Sequence, residues 1–122
     1  MLAKSQQSAK IYGGYNPIGF TNSGGQWRGT TESFIFSFEN SEDVQNMKIS
    51  RINNGYNNYA IYDHPNYGFS FGNTFYLNSD KRIYCSNQGY YDGNLNNVLN
   101  PYINQNGYFI PEDTEAFKIT TT

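Results

Sequence analysis

The stretch Glu32-Ser33-Phe34-Ile35-Phe36-Ser37-Phe38-Glu39 indicates the fold class. Phe34, Phe36 and Phe38 alternate with polar residues, which is the two-residue period of a β-strand. Ile35 interrupts this alternation and indicates that the second face of the strand is partly covered as well. We therefore predict a central strand over 32–39, with its phenylalanines contributing to the core.

Further short strands are predicted along the chain, separated from one another by turn-forming residues. They cover residues 46–52, 59–62, 74–77, 82–85, 107–110 and 114–120. Asn53-Asn54-Gly55 predicts a hairpin between the first two, because Asn-Gly tolerates a left-handed backbone. The last two strands are expected to form a closing pair, with Phe117 and Ile119 facing the core. Helix is expected to be scarce, because Pro101 and several asparagines disfavour a stable helix between Leu95 and Ile103.

Composition supports the same fold class. The 122 residues include 12 Tyr, 9 Phe and 12 Gly. Aromatic residues favour strands, and glycine supplies the positive backbone angles that tight turns require. Seven or more short strands at close spacing are typical of a sandwich or barrel. We predict an all-β fold, a two-sheet antiparallel β-sandwich with little helix, formed by one domain over residues 1–122.

Charge and hydropathy exclude several classes of partner. Eight Lys and Arg against ten Asp and Glu give a net charge of −2, which provides no basic surface for nucleic acid or an acidic membrane. No apolar run approaches the roughly 20 residues that span a bilayer. The first residues resemble no signal peptide, and the single Cys85 cannot form an internal disulfide. These features predict a reducing, cytoplasmic compartment and no membrane insertion.

The residues that could carry catalysis are few. Cys85 and His64 are the only candidates for a nucleophilic pair, and nothing in the sequence places them together. A cysteine beside Ile83 and Tyr84 is more often a small core residue. We interpret His64, which precedes a proline, as a residue of a solvated turn.

Metal and phosphate sites are also not predicted. One His and one Cys cannot supply a zinc tetrad. The acidic groups Glu39, Glu42 and Asp43, and Glu112, Asp113 and Glu115, lack calcium-loop spacing. Gly13-Gly14 and Gly24-Gly25 are not followed by the Gly-Lys-Ser/Thr of a phosphate loop, and we interpret them as a turn or a tight strand crossing. A carboxylate pair for glycoside chemistry has no specific support. No catalytic, cofactor-binding or metal-ligating residue is therefore predicted.

Tyrosines in the loops indicate a binding surface. A core of this size cannot contain all of them, and exposed tyrosine is enriched at binding surfaces. The tyrosines concerned are Tyr56, Tyr59, Tyr67, Tyr90, Tyr91 and Tyr102. Composition leaves open whether a protein or a sugar binds them.

Short motifs follow one another in a specific order along the chain. They are Ile11-Tyr12-Gly13-Gly14-Tyr15-Asn16-Pro17, then Trp27 and the Phe34–Phe38 strand, Ile49-Ser50-Arg51-Ile52 with Ala60-Ile61-Tyr62, Gly68-Phe69-Ser70-Phe71-Gly72 with Phe75-Tyr76-Leu77, Cys85 with Tyr90, and Glu115-Ala116-Phe117-Lys118-Ile119. In this order they resemble the TLDc domain family over nearly the whole chain. Thr74-Phe75 stands where the family usually has Asp-Leu, so a role for that acidic residue is not carried over.

The resemblance also implies a missing segment. The family's opening helical region has no counterpart here, and Met1-Leu2-Ala3-Lys4 resembles the middle of its first strand. We therefore expect an amino-terminally truncated domain, or a fragment of a longer protein. Removing a covering segment would expose a sheet edge or an apolar face, which predicts self-association.

The functional expectation follows from the resemblance. It implies a non-catalytic protein-interaction module with a role in resistance to oxidative stress and in binding and regulating the vacuolar-type proton ATPase. The alternative is a carbohydrate-binding β-sandwich that uses exposed Tyr and Asn in its loops. A third possibility is a segment without independent activity inside a longer protein.

Overall fold

The computed structural model describes residues 2–5, 10–18, 25–40, 44–64, 68–87, 89–100, 102–103 and 107–115. Within these ranges the chain forms eleven short strands and one α-helix. The strands are β1 (Leu2–Ser5), β2 (Ile11–Tyr15), β3 (Gln26–Arg28), β4 (Phe34–Phe38), β5 (Lys48–Arg51), β6 (Ile61–Asp63), β7 (Ser70–Phe71), β8 (Phe75–Leu77), β9 (Ile83–Cys85), β10 (Tyr108–Phe109) and β11 (Pro111–Glu115). The helix α1 spans Leu95–Leu99, and 3₁₀ turns lie at Val44–Asn46 and Asn57–Tyr59.

The described strands form three antiparallel sheets. The first has the order β11-β1-β2-β4-β5, and the second has the order β10-β9-β8-β7. A third, two-stranded sheet pairs β3 with β6. The all-β prediction is confirmed, and β4 lies between β2 and β5, as a central strand should.

Aromatic side chains fill the space between the two larger sheets. The Tyr12 ring of β2 lies 4.8 Å from the Phe109 ring and 6.4 Å from the Phe75 ring, measured between centroids. The two sheets approach each other closely at Gly14, because the Phe71 ring occupies the space where a Cβ would lie. The interpretation of Gly13-Gly14 as a tight crossing is therefore confirmed at Gly14, which lies within a strand and not in a turn.

The phenylalanines of β4 face the opposite way from the prediction. Phe34, Phe36 and Phe38 are half-buried, whereas Ile35 and Ser37 between them are buried. Ile35 and Ser37 therefore lie on the inner face of the strand, which packs against α1. We call the other face, formed by the three phenylalanines with Tyr15, Ile11 and Ile49, the outer aromatic face.

Two predicted strand pairs are wrong. The Asn53-Asn54-Gly55 turn is present, with Gly55 at φ +94°, but it does not close a hairpin. Instead β5 pairs with β4, and β6 pairs with β3. Late in the chain β10 pairs with β9 and β11 with β1, so the expected closing pair does not form among the residues described up to Glu115. Phe117 and Ile119 lie outside the described residues.

Helix α1 forms where a stable helix was not expected. Leu95, Val98 and Leu99 are buried on one side of it, against β4 and β5. Burial of these apolar side chains overrides the poor helix propensity of the asparagines. The helix ends at Leu99, and the carbonyl of the next residue, Asn100, accepts hydrogen bonds from Lys10 Nζ at 2.8 Å and from the Tyr12 hydroxyl at 3.2 Å.

Candidate functional site

Six aromatic rings gather on one surface of the molecule. They come from the β3–β6 sheet, from the turn before β6, from the residue after β6 and from the loop before α1. We call this surface the aromatic patch, and it consists of Trp27, Tyr56, Tyr59, Tyr62, His64 and Tyr90.

Trp27 lies at the centre of the aromatic patch. Its ring is 4.7 Å from that of Tyr62, 5.5 Å from that of Tyr59 and 5.9 Å from that of Tyr90. The contacts with Tyr59 and Tyr90 are edge-to-face, which is a favoured geometry for aromatic pairs. The Tyr59 and Tyr90 rings stack at 5.1 Å, and Tyr56 contacts Tyr90 at 5.6 Å. The rings therefore restrain one another.

Three rings of the aromatic patch remain accessible. Trp27 is 39% exposed, Tyr59 41% and Tyr56 44%. Tyr62, His64 and Tyr90 are half-buried. Large apolar rings that are both exposed and contiguous are characteristic of interaction surfaces.

The strands beneath the aromatic patch hold its centre in place. Trp27 on β3 lies directly opposite Tyr62 on β6. One residue further along, Arg28 forms a salt bridge with Asp63 at 3.4 Å. The Asp63 side chain is fully buried, so this pair is shielded from solvent on the carboxylate side. Trp27 therefore lies on a short sheet whose two strands are also joined by a salt bridge.

Hydrogen bonds fix the loop that carries Tyr90. Asn53 donates from its main-chain nitrogen to the Tyr90 carbonyl at 2.7 Å, and from Nδ2 to the carbonyls of Gly89 and Tyr91. The buried Tyr91 hydroxyl donates to the Ala60 carbonyl at 2.8 Å. Since Ala60 follows Tyr59 in the chain, Tyr91 links the two segments that supply Tyr59 and Tyr90.

Only part of the tyrosine set predicted from sequence belongs to this surface. Tyr56, Tyr59 and Tyr90 meet there. Tyr91 is buried beneath them, and Tyr102 packs half-buried against Tyr12 and Phe109. Tyr67 lies outside the described residues.

Sequence reasoning missed Trp27 and Tyr62 as surface residues. In the sequence, Trp27 is recognised only as one member of the ordered set of motifs. The three-residue strands β3 and β6 are too short for side-chain alternation to reveal which residues face outward.

The structure places Cys85 and His64 in different environments. Cys85 is buried in the core on β9, where burial raises the pKa of its thiol. His64 stacks on Tyr62 at the margin of the aromatic patch. The interpretation of Cys85 as a core residue is confirmed. His64 is instead a half-buried member of the aromatic patch and not a fully solvated turn residue.

The acidic residues form no metal centre within the part of the chain that is described. There, no three His, Cys, Asp or Glu side chains are grouped as metal ligands would be. Glu39 pairs with Lys48 at 3.3 Å, and Glu112 pairs with Lys4 at 3.5 Å. The described part of the structure does not include Glu42, Asp43 or the side chains of Asp113 and Glu115.

No helix among the described residues is long and apolar enough to cross a membrane. The α-helix α1 has five residues.

Comparison with known proteins gives a family for the chain. The family model for the TLDc domain matches residues 1–120. No curated protein and no solved structure gave a significant match. The order of motifs described above is in agreement with the family model. The chain belongs to the TLDc domain family.

Proposed function

We propose that the chain is a non-catalytic protein-interaction module that binds its partner through the aromatic patch. The observation that carries this proposal is the exposure of Trp27, Tyr56 and Tyr59 on a hydrogen-bonded scaffold. Trp and Tyr dominate the binding energy of many protein interfaces, since they bury large areas and lose little conformational entropy. A restrained ring also costs less entropy to bind than a mobile one.

The outer aromatic face is a weaker candidate for the binding surface. Its phenylalanines are half-buried and contact one another at 5.5–6.0 Å between centroids. They lack the hydroxyl or indole N–H through which Tyr and Trp also form polar contacts. The aromatic patch combines greater exposure with such polar groups.

The partner that we propose is the vacuolar-type proton ATPase. Family membership supports this, since it implies binding and regulation of that enzyme and a role in resistance to oxidative stress. We propose a cytoplasmic location for such a role, and the single cysteine supports it.

Resistance to oxidative stress would then come from the interaction and not from chemistry at Cys85. Oxidants react with the thiolate form of cysteine. Burial raises the pKa of the Cys85 thiol and also limits access to it, so the reactive form is scarce. We propose no catalytic residue and no cofactor.

The proposal is tested by titrating the chain with purified peripheral subunits of the vacuolar-type ATPase in a calorimeter. Tyr59→Ala should weaken binding by about 2 kcal/mol, or roughly thirtyfold, if Tyr59 is an interface hot spot. Tyr108→Ala is the matched control, because Tyr108 is 42% exposed on the second sheet. Equal losses in both variants, or no binding by the wild-type chain, would contradict the proposal.

Carbohydrate binding is the second candidate, and one observation favours it. Asn57 and Asn58 lie in the turn that leads to Tyr59, so amide groups flank exposed rings. Sugars bind proteins through such combinations of hydrogen bonds and aromatic stacking. Binding to a glycan array that disappears in Tyr59→Ala would favour this candidate over the protein partner.

A further inference from the structure

Asn54 and Gly55 form an exposed turn between β5 and the aromatic patch. Both residues are exposed, and Gly55 adopts φ +94° with no atom within 4 Å of where a Cβ would lie. An Asn-Gly sequence offers the least hindered main-chain nitrogen for attack on an asparagine side chain, because glycine has no Cβ. The turn therefore combines the most reactive sequence with solvent access.

The neighbouring asparagine is held in a different way. Asn53 donates from its side chain to the carbonyls of Gly89 and Tyr91, at 2.9 and 3.1 Å. Within the described residues, the Asn54 side chain has no such hydrogen bond. It is thus free to rotate towards the Gly55 nitrogen, whereas the Asn53 side chain would first have to break two hydrogen bonds.

The sequence Asp92-Gly93 provides an internal comparison. The carboxylate of Asp92 accepts hydrogen bonds from Ser50 Oγ at 2.9 Å and from the main-chain nitrogens of Arg51 and Asn94 at 3.1 Å. The Asp92 side chain would have to break these bonds before it could react with the nitrogen of Gly93. An aspartate before glycine can close the same cyclic imide, with loss of water instead of ammonia. Of these two sites, the structure leaves only the Asn54 side chain without a hydrogen bond that must first break.

From this arrangement we propose that Asn54 is a site of spontaneous deamidation in the folded protein. The Gly55 main-chain nitrogen attacks Cγ of Asn54 and loses its proton to hydroxide. The Cγ–Nδ2 bond breaks, and the side-chain nitrogen leaves as ammonia after taking a proton from water. Water then opens the cyclic imide at either carbonyl, which yields aspartate or isoaspartate.

The product changes the turn that supports the aromatic patch. The main-chain nitrogen of Tyr56 donates to the Asn53 carbonyl at 3.0 Å across this turn. Isoaspartate adds one carbon to the main chain between these residues, and either product adds a negative charge. Tyr56, whose ring contacts Tyr90, is the first patch residue that the change displaces.

The test is to incubate the native full chain in mildly alkaline buffer and to map its tryptic peptides by mass spectrometry over time. Cleavage after Arg51 and Lys81 isolates Asn54 from Asn106-Gly107, the other Asn-Gly sequence. Fragmentation of this peptide should locate the conversion of amide to acid at Asn54, ahead of Asn53, Asn57 and Asn58. Treatment of the peptide with an isoaspartyl methyltransferase should label it.

Two variants complete the experiment. Asn54→Gln should lose the methyltransferase label on this peptide, because ring closure is slower for the longer side chain. Asn58→Gln, at an exposed asparagine that precedes Tyr59, should keep it. The proposal is overturned if Asn54 stays intact in the native chain while it converts in the same chain unfolded in urea. It is also overturned if Asn57 or Asn58 reacts as fast. The readout is chemical and does not depend on the proposed partner.

Discussion

At the scale of single residues, close packing between the two larger sheets depends on a glycine, Gly14, which has no Cβ. Gly14 faces the ring of Phe71, which occupies the space where a Cβ would lie. A protein interior packed to crystal density has no room for the added methyl group unless one of the sheets moves.

Gly14→Ala should lower the free energy of unfolding by about 1–3 kcal/mol, as expected for an overpacked core. Gly93→Ala is the matched control, since no atom lies within 4 Å of the added Cβ. Urea denaturation followed by circular dichroism measures both. Equal stability of the two variants would show that the sheets do not approach each other at Gly14.

The hydroxyl of Tyr91 also stabilises the fold, through buried hydrogen bonds beneath the aromatic patch. It lies 3.0 Å from Ser33 Oγ and donates to the Ala60 carbonyl at 2.8 Å, all in the buried interior. Tyr91→Phe leaves buried polar groups without a partner and should cost about 1–3 kcal/mol of unfolding free energy. Tyr108→Phe, at a residue of β10 that is 42% exposed, should leave the stability nearly unchanged. Thermal unfolding of both variants makes the comparison, and an equal melting temperature would contradict it.

At the scale of elements, the segment after Tyr91 covers the edge of the first sheet. The main-chain nitrogen of Asp92 donates to the Arg51 carbonyl at 2.8 Å, and Asn94 Nδ2 donates to the Ile49 carbonyl at 2.7 Å. These contacts use polar groups of β5 that would otherwise be free to pair with another chain. Self-association through a sheet edge, as expected from the sequence, would therefore need a different strand.

Asp92→Ala should uncover this edge. The substitution removes the carboxylate that accepts from Ser50 Oγ and from the Arg51 main-chain nitrogen. We expect a loss of roughly 1–3 kcal/mol in unfolding free energy. We also expect concentration-dependent association in sedimentation velocity. Asp80→Ala, at an exposed residue before β9, is the control. A variant that sediments like the wild type at all concentrations would contradict this view of the edge.

The sequence predicts which segments are strands better than it predicts their partners. The period of two in β4 is visible because five consecutive residues obey it. The sequence does not show which face of β4 is buried. That depends on how Ile35 and Ser37 pack against α1 and against strands that are distant in the sequence. Asn53-Asn54-Gly55 predicts a turn for local reasons, yet β6 pairs with β3 because of contacts made elsewhere in the chain.

At the scale of the whole molecule, three buried acidic groups make the fold sensitive to alkali. Burial raises the pKa values of the hydroxyls of Tyr12 and Tyr91 and of the Cys85 thiol. The folded chain therefore holds these protons at a pH where the unfolded chain has released them, and stability falls as pH rises. Burial lowers the pKa of Lys10, which acts in the opposite direction for one group.

We expect the unfolding free energy to be steady at neutral pH and to decline above the ordinary pKa of cysteine and tyrosine, 9.0 and 10.0. Each of the three groups contributes up to about 1.4 kcal/mol per pH unit in that range. Urea denaturation at a series of pH values measures the slope, and Tyr12→Phe should make it shallower. A slope that is unchanged in this variant would show that Tyr12 does not retain its proton.

The aromatic patch could be predicted only in part. The excess of tyrosine indicates that some rings are exposed, and three of the six candidates do meet at one surface. Trp27 joins them through the pairing of β3 and β6, which are separated by more than thirty residues. That pairing depends on the whole fold, so no local pattern reveals it.

The central claim is that a partner binds at the aromatic patch, and Trp27 allows this to be measured directly. It is the single tryptophan of the chain, so labelling with 5-fluorotryptophan gives one fluorine resonance from the centre of the patch. Addition of the peripheral subunits of the vacuolar-type ATPase should shift or broaden this resonance, with the same midpoint as binding measured by calorimetry. Binding that leaves the Trp27 resonance unchanged would contradict the account.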